Sequence, residues 1–251
     1  MVIMVIEISD FLSRVEASQY SIFTQKFHAS VSKTLRKFNG TIKSKDNNNY
    51  LVVFSSVTDS VQCALEIQYK FKYVTPKHES FSRRLNIGMT ISKELNEEDM
   101  ILATRICEIV KEQLVISTKV KEAYESINEH ATIDRELIRT LKPGEETFLT
   151  KIMNYIESNW MRSDFNWTSI SKSLRFSYSQ LYRRLNSLSG KSPNKFIKEF
   201  RLHKALVLLH DHVDSISEIS TKTGFNSPNY FSKCFREKYG VSPSKYRLQH
   251  S

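Results

Sequence analysis

The 251-residue chain contains no run of 18 or more apolar residues, so no membrane-spanning helix is expected. Its opening Met1–Ile6 is apolar, but it is too short for a signal peptide and has neither a basic start nor a cleavage site. Cysteine is scarce. Cys63, Cys107 and Cys234 stand far apart, a pattern of buried thiols in a reducing compartment, and a cytoplasmic location is expected. No phosphate-binding P-loop, glycine-rich dinucleotide motif or catalytic-triad spacing occurs, and no cofactor is expected. His210-Asp211-His212 has two histidines only one residue apart after a helix, which is read as surface rather than a metal site.

What the chain does have is a repeat. Ser227-Pro228 opens a short helix, the serine capping free backbone N–H groups and the proline taking the first helical position. Phe231 and Phe235 share one face, Lys233, Arg236 and Lys238 point elsewhere, and Gly240 stops the helix before Ser242-Pro243. Fifty residues earlier, Ser177, Leu181, Leu185, Gly190 and Pro193 hold the positions of Ser227, Phe231, Phe235, Gly240 and Pro243. Ser177 and Gln180 also have the spacing of a capping box. Each copy predicts a helix with an apolar inner face and a basic outer one. Charge follows the repeat: of 37 basic and 27 acidic residues, 17 and 9 fall in 145–251, leaving that stretch at +8 and the remainder at +2. Such a partition suits a polyanion-binding domain.

In the first half, Val2–Ile8 predicts a buried strand and Ala17–Phe38 a helix ended by Gly40. Thr41–Lys45 and Tyr50–Phe54 form a hairpin around Asp46–Asn49, and Thr58–Phe71 is a second helix. Leu85–Ile91 is a strand, Met100–Lys111 a helix, Leu114–Ile116 a strand and Ser117–Tyr124 a helix, with Glu136–Leu141 a last strand or helix. This order gives an α+β domain, ferredoxin-like, its sheet covered by helices. Lys142–Glu145 breaks the pattern, so the expected domains are 1–141 and 146–251 with 142–145 as linker. The second domain is all-α, with helices at Glu146–Asn159, Asn166–Leu174, Ser177–Ser189, Asn194–Leu209, Ser215–Thr223, Pro228–Tyr239 and Ser244–Gln249.

Two resemblances follow. Glu7–Phe11, Phe38–Lys43, Ala64–Gln68, Leu85–Met89, Ala103–Ile106 and Val115–Ser117 together resemble the class III nucleotide cyclase homology domain. That family's two metal-binding aspartates fall on Glu7 and Asn48, and its transition-state asparagine falls on Ile101, although Arg105 matches its arginine. Neutral Asn48 lacks the anionic oxygen that a hard Mg²⁺ site relies on, so the resemblance implies a cyclase-like domain without turnover. Such a domain serves dimerisation or sensing. Lys43, Lys45 and Arg105 are candidates for an anionic ligand or form an ordinary solvated face. Glu7 and Asp10 are not read as a carboxylate pair, since alternation sends them to opposite faces.

Gly190-x-Ser-Pro193, Arg201-Leu202-x-x-Ala205-x-x-Leu208-Leu209, Gly224-Phe225, Tyr230–Phe235 and Gly240-Val-Ser-Pro243-x-x-Tyr246-Arg247 resemble the AraC/XylS family of transcriptional regulators. The resemblance implies two helix-turn-helix modules whose recognition helices enter successive major grooves about 34 Å apart. It assigns base reading to Ser179, Tyr182 and Arg183 in the first helix, and to Asn229, Tyr230, Ser232 and Lys233 in the second, with Tyr230 alternatively core. Arg184, Lys191, Lys195, Lys222, Arg236, Lys245 and Arg247 are assigned to phosphates. The expected partners are double-stranded DNA, RNA polymerase, a second copy of the chain through the N-terminal domain, and a small nucleotide or other anionic ligand. The expectation is a non-enzymatic, sequence-specific DNA-binding regulator. A DNA-tethered active cyclase and a non-specific architectural DNA-binding protein are the alternatives.

Overall fold

The computed structural model of the chain describes residues 1–8, 17–46, 49–74, 85–129, 131–210 and 214–249. It divides into two units, Met1–Thr147 and Phe148–Ser251.

The first unit is organised by β1 (Val2–Ile8), whose almost unbroken apolar run marks a strand covered on both faces. Val2, Met4, Ile6 and Ile8 point into the larger core, whereas Ile3 and Val5 pack with Ala103 and Cys107 on the other face. Around it come α1 (Ala17–Lys37), the hairpin β2 (Thr41–Lys45) and β3 (Asn49–Phe54), α2 (Val57–Val74) and β4 (Leu85–Ile91). Then follow α3 (Glu97–Ile109), β5 (Leu114–Ile116), α4 (Thr118–Ile127) and β6 (Arg139–Thr140). The sheet order is β2-β3-β1-β4-β5-β6, antiparallel from β2 to β4 and parallel from β4 to β6. Phe27, Val31 and Leu35 of α1, Val61, Ala64 and Ile67 of α2, and Val120 of α4 fill the larger core, and α3 covers the opposite face.

Several expectations are corrected here. Helix α3 begins one turn before Met100, because Asn96 accepts from the Asp99 N–H and Glu97, Glu98 and Asp99 place negative charge at the helix start. Helix α1 ends at Lys37, where Asn39 takes the left-handed conformation at φ 58° and the Gly40 N–H donates to the Leu35 carbonyl at 2.8 Å. The segment 142–145 is no linker: Pro143 opens α5 (Pro143–Asn159), and the Glu145 carboxylate accepts from the Lys142 N–H at 2.9 Å while meeting Arg139 at 3.1 Å. The proline takes a helix start, where its missing N–H costs nothing.

Lys45 and Arg105 do not converge, and Lys43 falls at the irregularity in β2. Lys45 pairs with Tyr50 and lies 5.5 Å from its ring on the α1–α2 face, whereas Arg105, only 6% exposed, belongs to α3 on the other. The register shift between Ile42 and Ser44 breaks the alternation of β2, so Lys45 and not Ser44 stands opposite Tyr50. Asp10, Asn48, Asp211 and His212 lie outside the described residues.

The second unit is all-helical. After α5 come α6 (Trp167–Ser173), α7 (Tyr178–Ser189), α8 (Pro193–His210), α9 (Ile216–Lys222), α10 (Pro228–Tyr239) and α11 (Pro243–Gln249). Helices α8 to α11 share a core of Leu202, Ala205, Leu209, Ile219, Phe225, Phe231, Phe235 and Tyr239. Among the described residues, no helix is long and apolar enough to cross a membrane.

Candidate nucleic-acid interface

The repeat extends beyond the two recognition helices into the turns that precede them. Asn166 caps α6 through the Ser169 N–H, and Ser215 caps α9 in a capping box with Glu218. Each support helix ends in a left-handed residue: Arg175 at φ 56° in the first module, Gly224 at φ 74° in the second. An aromatic residue follows, its N–H donating to a serine carbonyl of the support helix, Phe176 to Ser171 at 2.9 Å and Phe225 to Ser220 at 3.0 Å. The next helix starts at Ser177 or Ser227, each accepting the backbone N–H three residues on. Both recognition helices close on a left-handed glycine, Gly190 at φ 69° and Gly240 at φ 78°.

Leu181, Leu185, Phe231 and Phe235 anchor the inner faces, each completely or almost completely buried. On the outer faces Ser179, Tyr182 and Arg183 stand at i, i+3 and i+4, and Asn229, Ser232 and Lys233 repeat that spacing fifty residues later. All are exposed except Ser232, which is half-buried. Tyr230 is 53% exposed with its ring tilted against Phe225 at 6.2 Å, so it belongs to the surface and not the core. Lys233 is 4.0 Å from Glu237, an exposed pair of little consequence.

The phosphate set divides. Arg236 and Lys245 are exposed, and Lys195 is 60% exposed with Glu199 only at 3.9 Å. Arg184 lies back over the Phe176 ring at 4.8 Å and the Phe148 ring at 5.8 Å. Lys191 pairs with Glu199 at 2.8 Å, Lys222 with Asp214 at 2.6 Å, and Arg247 donates to the Asp214 carbonyl at 2.6 Å. The last three therefore brace the unit itself.

Two residues of α8 hold the modules together: Arg201, which the family motif includes without showing what it bonds, and Glu199, which lies outside that motif. The Arg201 guanidinium donates through Nε to the Trp160 carbonyl at 2.8 Å and through Nη2 to the Arg162 carbonyl at 2.7 Å, with Phe165 beneath at 5.6 Å. It thereby ties the segment after α5 to α8. Glu199 gathers Lys191 from the loop after α7, Lys195 from its own helix, and Lys238 of α10 at 3.8 Å. Burial pushes its carboxyl up, but the Lys191 hydrogen bond and the charges of Lys191, Lys238 and Lys195 outweigh burial and hold it below the usual carboxylate range.

A carboxyl held low stabilises the fold above its ordinary pKa, and that stabilisation is lost as pH falls through the lowered value. Glu199→Gln is therefore expected to lower the urea midpoint at neutral pH and to converge on the wild type at the acid end of the carboxylate range. A gap that stays constant with pH would assign the effect to shape and not to charge.

Residues 170–249 match a family model described as a helix-turn-helix domain. The chain is 32% identical over 161 residues to Histidine kinase P4 of Formosa agariphila, covering 64% of this chain and 11% of that protein. It is 33% identical over 120 residues to the HTH-type transcriptional regulator MtrA of Neisseria gonorrhoeae, covering 46% of this chain and 38% of that protein. A solved transcriptional regulator of Chromobacterium violaceum, described among proteins containing an AraC-type DNA-binding domain, aligns at 28% identity and TM-score 0.41. That alignment covers 44% of this chain and 97% of that one. The chain thus spans about a tenth of the first of these curated relatives and well under half of the second.

Proposed function

We propose that the C-terminal region, whose residues 170–249 match a helix-turn-helix domain, is of the AraC type and makes the protein a sequence-specific DNA-binding regulator of transcription. One observation carries the reading. Two capped helices, each preceded by the same left-handed turn, present outer-face triplets of the same i, i+3, i+4 spacing, exposed but for half-buried Ser232, from apolar anchors that fix their rotation. A repeated, rigidly oriented polar triplet suits two major grooves on one face of a duplex, where side chains meet base edges. Arg183 has the fork for guanine O6 and N7, Asn229 the amide for adenine, and Lys233 a single-point cation. Ser179, Tyr182, Tyr230 and Ser232 flank them.

Selection from a random duplex pool by the full chain at near-physiological salt tests the proposal. The expected product is two short enriched blocks about one helical turn apart. Binding without enrichment would mean an architectural protein. Once the site is known, Arg183→Ala is expected to cost roughly 1–3 kcal/mol on it and to relax preference at one base pair. An equal loss on random DNA would make Arg183 a phosphate contact.

For the N-terminal unit we propose a ferredoxin-like, cyclase-homology domain that dimerises or senses without turnover. Its first four strands lie in the order β2-β3-β1-β4, that of a split βαβ arrangement, which supports the fold reading. Ile101, an exposed apolar side chain, offers no hydrogen bond at the position assigned to transition-state stabilisation. With Lys45 and Arg105 on opposite faces of the sheet, dimerisation is the favoured role.

A further inference from the structure

Between α8 and the turn that opens the second recognition helix, the second unit holds a cavity of about 210 Å³, which Tyr230 of α10 also lines. Ile197 of α8 and Phe225 give it apolar surface, Asn194 and Asn226 contribute amides, and Lys198 and Arg201 contribute two positive charges. Among the described residues, no carboxylate pairs with either cation. Both bonds of Arg201 go to backbone carbonyls, and Glu199, the acid beside Lys198 in sequence, is engaged by Lys191, Lys195 and Lys238. Arg201 is also half-buried, a place where desolvation penalises a cation that lacks a counter-charge. The cavity therefore has donors and charge in excess of its acceptors.

Its position is as informative as its chemistry. Asn194 and Lys198 lie in the first two turns of α8, just after Gly190 closes the first recognition helix. Asn226 immediately precedes Ser227, the cap of the second. With one recognition helix in each of two successive grooves, as proposed above, a strand of the duplex would cross this interval.

We propose that the cavity seats one backbone phosphodiester of the duplex between the two grooves. Lys198 makes the direct contact, Asn194 and Asn226 donate to the remaining oxygen, Ile197 and Phe225 meet the sugar edge, and Arg201 supplies fixed positive charge from behind. This rests on the DNA-binding reading and adds to it a phosphate contact on α8, beside Tyr230 of the second recognition helix.

The test uses the full chain and its selected duplex, with a neutral methylphosphonate placed at one phosphate at a time between the enriched blocks. One position is expected to weaken wild-type binding about fivefold near 0.15 M salt and to reduce the salt slope by about 0.9, as loss of one contact requires. Lys198→Ala is expected to cost the same and to be indifferent to methylphosphonate at that position, with an unchanged melting curve. Equal methylphosphonate losses in the two proteins at every position would overturn the assignment. So would inorganic phosphate protecting Lys198 from amine acylation with no such coupling on the duplex, since the seat would then belong to a free anion. A chain that enriches no sequence would instead remove the DNA reading beneath it, a result seen in the selection alone.

Discussion

Gly88→Ala is expected to lift α3 off the sheet and to expose a thiol that is sealed in the wild type. Gly88 sits in β4, opposite Val5 of β1 and Val115 of β5, and the backbone of α3 crosses directly over it. A methyl group there would lie 2.5 Å from the Ala103 carbonyl oxygen, 2.5 Å from the Cys107 nitrogen and 2.9 Å from the Cys107 Cα. All three are main-chain atoms, so no rotamer change relieves the overlap. Either the helix moves or the central strand buckles. Overpacking that side chains absorb costs about 1–3 kcal/mol, and a clash with backbone is expected at or above the top of that range.

Cys107 reports the outcome. Its thiol is buried, it donates to the Asn86 carbonyl at 3.3 Å, and burial first, then the charges of Glu7 and Glu108, hold its pKa well above the usual thiol range. A thiol so held is inert to alkylation. In Gly88→Ala, Cys107 is expected to react with iodoacetamide under native conditions, while buried Cys234 of the second unit keeps its wild-type rate. Unchanged labelling of Cys107 together with an unchanged denaturation midpoint would mean that α3 does not depend on this contact.

Where a structural cause is local, the chain states it openly. The apolar run of β1, the Ser177–Gln180 capping box, the Ser227-Pro228 start and the two glycine stops are each contained within a few residues, and each forms as the pattern requires. The exposed triplets follow from helical periodicity once those caps fix where each helix begins. Causes that depend on distant partners are not stated that way: Arg201 stands in the family motif, but what it bonds does not show there. Arg201 acts on carbonyls about 40 residues earlier, and Glu199 draws together lysines from three segments. Their importance emerges only when α8 is packed.

The split of Lys45 from Arg105 has a similar origin. Strand parity would have kept β2 in step, but one irregularity between Ile42 and Ser44 resets which residues face α1 and α2. The break at Lys142–Glu145 misleads for a different reason: Pro143-Gly144 is ambiguous between a turn and a helix start, and the Glu145 bond to the Lys142 N–H decides for the helix.

Gly224→Ala is expected to destabilise the second unit by about 3 kcal/mol, well beyond what its backbone conformation alone demands. The two modules supply the comparison. Arg175 and Gly224 hold the same left-handed place in equivalent turns, yet the first carries a full side chain because it is exposed. Left-handed φ by itself therefore does not require glycine here. Gly240 makes the same point from the other side: its φ is 78°, but an added Cβ would meet nothing within 4 Å. Gly240→Ala should accordingly cost only about 1 kcal/mol, the penalty of alanine in that region.

At Gly224 the Cβ would lie 2.8 Å from Arg201 Cζ, 2.9 Å from its Nη2 and 2.9 Å from the Trp160 carbonyl oxygen. The guanidinium cannot swing aside without leaving the Trp160 and Arg162 carbonyls, and each charge-assisted bond lost is worth about 1.5–3 kcal/mol. For a unit of about 100 residues the expected fall in Tm is roughly 15 °C. A double-mutant cycle isolates the cause: in an Arg201→Ala background the part of the excess due to the guanidinium should vanish, leaving a penalty above that of Gly240→Ala only by the overlap with the Trp160 carbonyl. Equal losses for Gly224→Ala and Gly240→Ala in the wild-type background would instead show that Arg201 yields freely. Its two carbonyl bonds would then not hold the second recognition turn in place.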